Sequence, residues 1–366
     1  MGGARTGIGE FAADLRAWAP NATGRVPAYE RLALQLADEV ERDAALAACF
    51  AAAWGAREFP ARYDRPLLAM AALRFDALLD ARHPLSRAIA ARTPAADAAT
   101  PEALRAALDP AREKFWDAIH RRAVQTNETT RAVAWLWPAH LAGAGLGARP
   151  IALCDLGCSA GLNLAADLLP APWTDATGAR IPVAHGVHLV ARRGFDRNPL
   201  DVSDPDAETW LRACLWPGEH AREDRFDAAL VAVQALRARG EPIVLERCEA
   251  EEMPARLAAW SAALPPGTFV LASQTVMREY LPAEIAARYA GGLREWVASR
   301  APGSAAWIEL ETAATPGALP AALTAHVATG GAVIDLELAR IGYHPTAVAI
   351  DARAAEAFAR AVAPRG

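Results

Sequence analysis

The sequence predicts an α/β protein, with an N-terminal all-helical domain over residues 1–148 and a doubly wound, mostly parallel seven-stranded sheet over 149–366. Three observations carry this. Up to about residue 140 the large apolar residues recur at three-to-four spacing. Beyond it, short and continuously apolar runs alternate with helical ones, as strands covered on both faces do. Between the two lies a Gly/Pro-rich hinge, LAGAGLGARP at 141–150. A chain of 366 residues also fits about two domains on length alone.

Taken in order, residues 29–54 repeat Leu32, Leu36, Val40, Leu46, Phe50 and Trp54 mostly at three-to-four spacing, with Glu30, Glu39, Glu41 and Arg42 between them, which predicts an amphipathic helix. Helical texture continues over 66–80, 101–108, 110–122 and 127–136, punctuated by prolines. Strands are expected at 151–156, 187–191, 241–247, 267–273, 305–311, 332–339 and 346–351. Helices are expected between them at 162–169, 207–215, 221–239, 254–264 and 282–299. That is a βαβ series with right-handed crossovers. The last two strands, separated by RIGYHP, are expected as an antiparallel hairpin closing the sheet.

Composition narrows the partners. Hydrophobic residues make up 53% and charged residues 22%, an ordinary globular balance, and 38 basic against 43 acidic side chains give −5. Such a chain lacks the summed positive field that nucleic acid or an anionic membrane would need. Lys114 is the only lysine, so there is no Gly-Lys-Ser/Thr phosphate loop, and a Schiff-base mechanism would rest on Lys114 alone. Five scattered cysteines without a Cys-x-x-Cys pair argue against a disulfide framework or a zinc knuckle. The N-terminus has no secretory pattern, and the apolar stretch at 44–56 is short of the roughly 18–20 residues that span a bilayer. The expectation is a cytoplasmic protein, monomer or homodimer, acting on a small molecule.

The strongest local signal is Asp155-Leu-Gly157-Cys-Ser159-Ala-Gly161-Leu-Asn163, where the first strand ends and a helical turn begins. Missing Cβ atoms there let a ligand approach the backbone, and a helix start offers free N–H groups. The Gly157 to Gly161 spacing is similar to the Asp/Glu-x-Gly-x-x-x-Gly loop of class I S-adenosylmethionine-dependent methyltransferases, whereas the dinucleotide pattern Gly-x-Gly-x-x-Gly fails at Cys158-Ser159. The same residues also spell Gly-x-Ser-x-Gly, a hydrolase elbow, for which Asp335 and His344 would supply acid and base. Against the hydrolase, the elbow follows the first strand rather than a central one. A third alternative is a non-catalytic module that binds S-adenosylmethionine or a protein partner.

From about residue 125 to 351 the chain resembles an uncharacterised bacterial domain-of-unknown-function family with a class I methyltransferase-like core. The resemblance rests on QTNETTR (125–131), DLGCSAGLNL (155–164), RRGFDRNPLDVSDPD (192–206), WLRACLWPGEHAREDRF (210–226), CEAEEMP (248–254) and the histidine of GYHP. It implies S-adenosylmethionine as cofactor and a methyl transfer to a small acceptor. It further implies that Asp196 binds the ribose hydroxyls, that Glu249 and Ala250 meet the adenine, and that Ser273-Gln274-Thr275 faces the transfer cleft. Asp196 lies about 40 residues past Asp155, farther than the usual roughly 20, which is attributed to an inserted loop at 170–182.

Asn127, Glu128 and Arg131 are expected on the last helix before the sheet, with Asn127 and Arg131 as candidate substrate contacts and Thr126 or Asn127 as cap. Tyr280, next to Glu279, and His344 are the candidate catalytic groups, His344 because imidazole titrates near neutrality. The spacing of His185 and His188 puts their rings on opposite faces of a strand, so no metal site is expected. Trp135, Trp137, Trp210 and Trp216 are expected in packing, and Glu249, Glu251 and Glu252 as a solvated helix start.

Overall fold

The computed structural model describes residues 8–55, 57–59, 61–126, 128–146, 149–184, 187–315 and 317–363. Helices in chain order are α1 (Ile8–Trp18), α2 (Pro27–Arg42), α3 (Ala44–Trp54), α4 (Asp64–Leu79), α5 (Pro101–Ala107), α6 (Glu113–Arg121), α7 (Val133–Leu146), α8 (Pro205–Ala213), α9 (His220–Ala238), α10 (Met253–Ala262), α11 (Ala283–Ala298) and α12 (Ala352–Val362). Strands are β1 (Ile151–Leu156), β2 (Leu189–Asp196), β3 (Val244–Arg247), β4 (Phe269–Thr275), β5 (Ala305–Thr312), β6 (Ala321–Ala328), β7 (Val333–Ile341) and β8 (Val348–Ile350). The chain divides into two compact units, Met1–Asn127 with Asp201–Asp224, and Glu128–Leu200 with Arg225–Gly366. α7 runs through Pro138 and Gly143 as far as Leu146, so the first part of the glycine-rich stretch is helical.

The first unit is helical, as the apolar spacing requires. Leu32, Leu36 and Val40 of α2 are buried, Asp43 caps α3 by accepting from Ala45 N and Leu46 N, and Thr100 caps α5. Its core is aromatic: Phe11 packs against Phe50 and edge-on to Trp54 at 4.6 Å, and Phe75 meets Trp210 edge-on at 5.6 Å. Trp216 packs on Trp18 and Tyr29, so Trp210 and Trp216 are both packing residues. Two buried ion pairs, Arg65 with Asp14 at 2.8 Å and Arg74 with Glu223 at 2.6 Å, satisfy charges that the apolar core would otherwise strand.

The second unit holds one eight-stranded mixed sheet in the order β3-β2-β1-β4-β5-β6-β7-β8. The first five strands are parallel, and β5 through β8 form an antiparallel meander. This corrects the expected seven strands. β6 is the strand that the sequence pattern does not predict, because AALTAHVA lacks the β-branched run that marks a strand, and its pairing with β5 and β7 supplies what its propensity does not. The final antiparallel pair is therefore the end of a meander. Residues 162–168 form a tighter 3₁₀ turn rather than the α-helix expected there, and α12, capped by Asp351, closes the chain.

Side chains alternate across the sheet, which is why its runs are continuously apolar. Ile151, Leu153, Phe269, Leu271, Ile308 and Leu310 pack on one face with Trp135 and Leu136 of α7 and Phe358 of α12. Cys154, Leu156, Val270, Ala272 and Trp307 pack on the other with Leu257 of α10 and Tyr289, Leu293 and Trp296 of α11. β1 is the middle one of the five parallel strands, between β2 and β4, where the strand order reverses, so the first strand in sequence is a central one in space. Among the described residues, no helix is long and apolar enough to cross a membrane.

Candidate cofactor site

Asp155 is the penultimate residue of β1, paired in register with Gly194 on β2 and Ser273 on β4, and only 5% exposed. Burial, with the Asp196 charge adding to it, pushes its carboxyl up to about 7. The turn that follows is held by backbone bonds: Gly157 N and Cys158 N donate to Phe195 O, and Gly161 N donates to Cys158 O at 2.7 Å. Asp196 closes it from β2, its Oδ2 accepting from Ser159 N at 2.8 Å and its Oδ1 from Asn198 N at 2.7 Å. The acid assigned by resemblance to the ribose is thus also a brace for the glycine turn.

Gly157 and Gly161 both adopt positive φ, +80° and +68°. A Cβ on Gly157 would lie 2.7 Å from Met277 Cγ, and one on Gly161 2.9 Å from Leu245 Cδ2, so close packing inside the unit already demands glycine at both. Ser159 is also left-handed, at φ +54°. Asn163 accepts at its backbone oxygen from Trp135 Nε1 at 2.8 Å, while its Oδ1 is sealed and has no partner among the described residues. A buried orphan acceptor beside a glycine turn is an observation that fits a bound group.

The other candidates divide. Ser273 is buried within the sheet, and Gln274 is 0% exposed, its Oε1 accepting from Tyr289 Oη and Trp307 Nε1 and its Nε2 donating to Glu311. These two side chains are therefore core groups and do not face a cleft, as their place inside β4 dictates. Ala250 is buried in the core beside Cys248 and Met253, and Glu249 is exposed, its backbone oxygen accepting from Glu252 N and Met253 N. Tyr280 is exposed on the turn after β4. Asn127 and His185 lie outside the described residues. The thiols of Cys154 and Cys158, both buried, are pushed well above their ordinary range by burial, which leaves them unreactive.

A second cluster assembles from segments 216 residues apart. Glu128, 2% exposed, caps the 3₁₀ turn Thr129–Ala132, its Oε1 accepting from Thr130 N at 3.1 Å and Thr130 Oγ1 at 2.7 Å. The cap is thus Glu128 rather than Thr126 or Asn127, and it is buried rather than solvated. Its Oε2 meets His344 Nδ1 at 2.8 Å, Arg225 reaches its Oε1 at 3.3 Å, and Arg131 Nε donates to Tyr343 O at 2.9 Å. This turn packs against the 3₁₀ turn that follows the glycine loop. Asp335, offered as the acid partner of His344, is instead bound to Arg294 and to His326 Nδ1 at 2.8 Å. Burial raises its carboxyl, but those two partners outweigh burial and hold it below the usual range. Opposite His344, an ionised Glu128 can only accept, which would make Nδ1 the donating nitrogen and leave Nε2 as the ring's acceptor.

The family model described as uncharacterised proteins conserved in bacteria (DUF2332) matches residues 12–349. The chain belongs to this family. The match reaches well beyond the segment from residue 125 that carries the signature motifs, taking in nearly all of the helical N-terminal part as well. No curated protein and no solved structure matches the chain.

Sequence reasoning passed over Glu311, Tyr343, Arg225 and Thr312. Glu309 and Glu311 were nonetheless visible as two acids in the otherwise apolar strand AAWIELE. Their partners were not, because the turn after β4 bends toward them through Val276, a β-branched residue at φ +52° whose N–H donates to Leu310 O at 2.7 Å.

Proposed function

We propose that the chain binds S-adenosylmethionine at the carboxyl ends of β1 and β2 and transfers its methyl group to a small-molecule acceptor. One observation carries this reading. The glycine turn stands at the point where the strand order reverses, braced by an acid on the neighbouring strand end, and open α/β sheets bind ligands at that point. When bound, the cofactor supplies an electrophilic methyl group on a positively charged sulfur.

The chain's own residues supply the rest. Asp196 uses two of roughly four acceptor directions on the turn, which leaves capacity for a pair of hydroxyl donors. Asn163 Oδ1 offers a sealed acceptor. An ionised Glu128 accepting from His344 Nδ1 leaves Nε2 as the nitrogen that would take a proton from an acceptor hydroxyl or amine as it is alkylated. The acidic balance of the chain suits a small acceptor rather than a polyanion.

The left-handed Ser159 favours a second reading, because a serine nucleophile sits on such a strained strand-to-helix elbow. In that reading Glu128 and His344 are the acid and base. Calorimetric titration with S-adenosylmethionine and S-adenosylhomocysteine, with fluorophosphonate labelling alongside, separates the two. Binding is expected, weakened by about 10- to 100-fold in Asp196→Ala, with no labelling. Labelling that disappears in Ser159→Ala, without binding, replaces the methyltransferase by the hydrolase. Silence in both assays leaves the non-catalytic module.

A further inference from the structure

At the carboxyl ends of β4 and β5 lies a groove of about 340 Å³, lined by Arg278, Glu279, Ala286, Ala287, Glu311 and Thr312 among others. Its floor is the alanine face of α11 and its rim is polar. Glu311 is only 5% exposed. Its Oε1 accepts from Gln274 Nε2 at 2.7 Å, Met277 N at 3.0 Å and Arg278 N at 3.3 Å, so one oxygen organises the turn after β4. Its Oε2 has no partner among the described residues and is not sealed from solvent. A carboxylate this deeply buried whose second oxygen is left to an open groove is costly to the fold unless a cation or a strong donor completes it.

The rest of the lining agrees in sign. Glu279 Oε2 accepts from Thr312 Oγ1 at 3.1 Å, and Thr312 Oγ1 also meets Tyr343 Oη at 2.7 Å. Arg278, the one cation among the described lining residues, is turned toward Glu309 at 3.4 Å. Two carboxylates against one committed guanidinium leave the groove net negative. We propose that this groove binds a small organic ammonium ion, with Glu311 Oε2 on the cationic nitrogen and the alanines of α11 against its carbon chain. Burial holds the Glu311 carboxyl above the usual carboxylate range, and a bound cation reverses that by favouring the ionised form. Tyr343 joins the groove to the loop that carries His344, and calling the ligand the methyl acceptor rests on the cofactor reading above.

The test needs no cofactor and no turnover. Butylammonium, butanol and butyrate, matched in carbon chain and differing in charge, are titrated against the full chain by ligand-observed NMR. Butylammonium is expected to bind about tenfold or more tightly than either analogue. Glu311→Gln keeps an oxygen for the three donors and removes the charge, so it is expected to lose that preference. Ala287→Trp fills the groove from the exposed side of α11 and is expected to abolish binding. Equal binding of the three probes, no binding of butylammonium, or full binding in folded Glu311→Gln overturns the proposal. If Glu311→Gln fails to fold, Ala287→Trp decides alone: unchanged butylammonium binding overturns the proposal, and its loss upholds it. S-adenosylhomocysteine binding is read separately, so failure of either reading is visible without the other.

Discussion

Asp155→Asn is expected to stabilise the protein above neutral pH, by at most roughly 4 kcal/mol, since the carboxyl moves from an ordinary 3.8 to about 7 on folding. The sign follows from proton counting. Between about pH 4 and 7 the unfolded chain has released the Asp155 proton and the folded chain keeps it, so stability falls as pH rises through that window. Below it both states are protonated, and above it the full cost of the buried charge is present. The advantage of the amide therefore grows from nearly nothing at pH 4 to its maximum by pH 8. Urea denaturation of the two proteins at both pH values checks this, and a difference independent of pH would show that Asp155 is ionised and solvated in the folded state.

Gly157→Ala is expected to have a comparable effect in the opposite direction. A left-handed backbone costs an L-residue about 1–2 kcal/mol, and overpacking adds about 1–3 kcal/mol. The added methyl meets Met277 Cγ at 2.7 Å, and Met277 has little freedom to yield, because its N–H is held by Glu311 and its predecessor Val276 is already left-handed. Shortening Met277 as well separates the two terms: Gly157→Ala with Met277→Ala should recover the packing part of the loss and none of the backbone part. An unfolding midpoint for the double variant below that of Gly157→Ala would place the strain elsewhere.

Both predictions concern residues that the sequence singled out, and the reason is local. A glycine turn after an apolar strand is a short-range pattern, and β1, β4 and β5 announce themselves by runs of buried aliphatics. What stayed hidden depends on distance or on context. β6 is strand only because β5 and β7 flank it; its own alanines carry no preference. The partnership of Glu128 with His344 joins positions 216 apart, so the pairing could not be read from the neighbours of either residue. Glu311 drew no attention as one acid in an apolar strand, and its place became clear only from the turn after β4 folding back onto one of its oxygens.

The Glu128–His344 and Arg131–Tyr343 contacts also fix an order of events during synthesis. The five parallel strands are complete once residue 312 has emerged from the ribosome, yet the turn at 128–132 still waits for a loop made some thirty residues later. Throughout that interval the imidazole that meets Glu128 has not been made. The parallel half of the unit is thus translated before the Glu128–His344 pair exists, and the antiparallel meander, which among the described residues contributes nothing to the glycine turn, is the carrier that delivers the final piece.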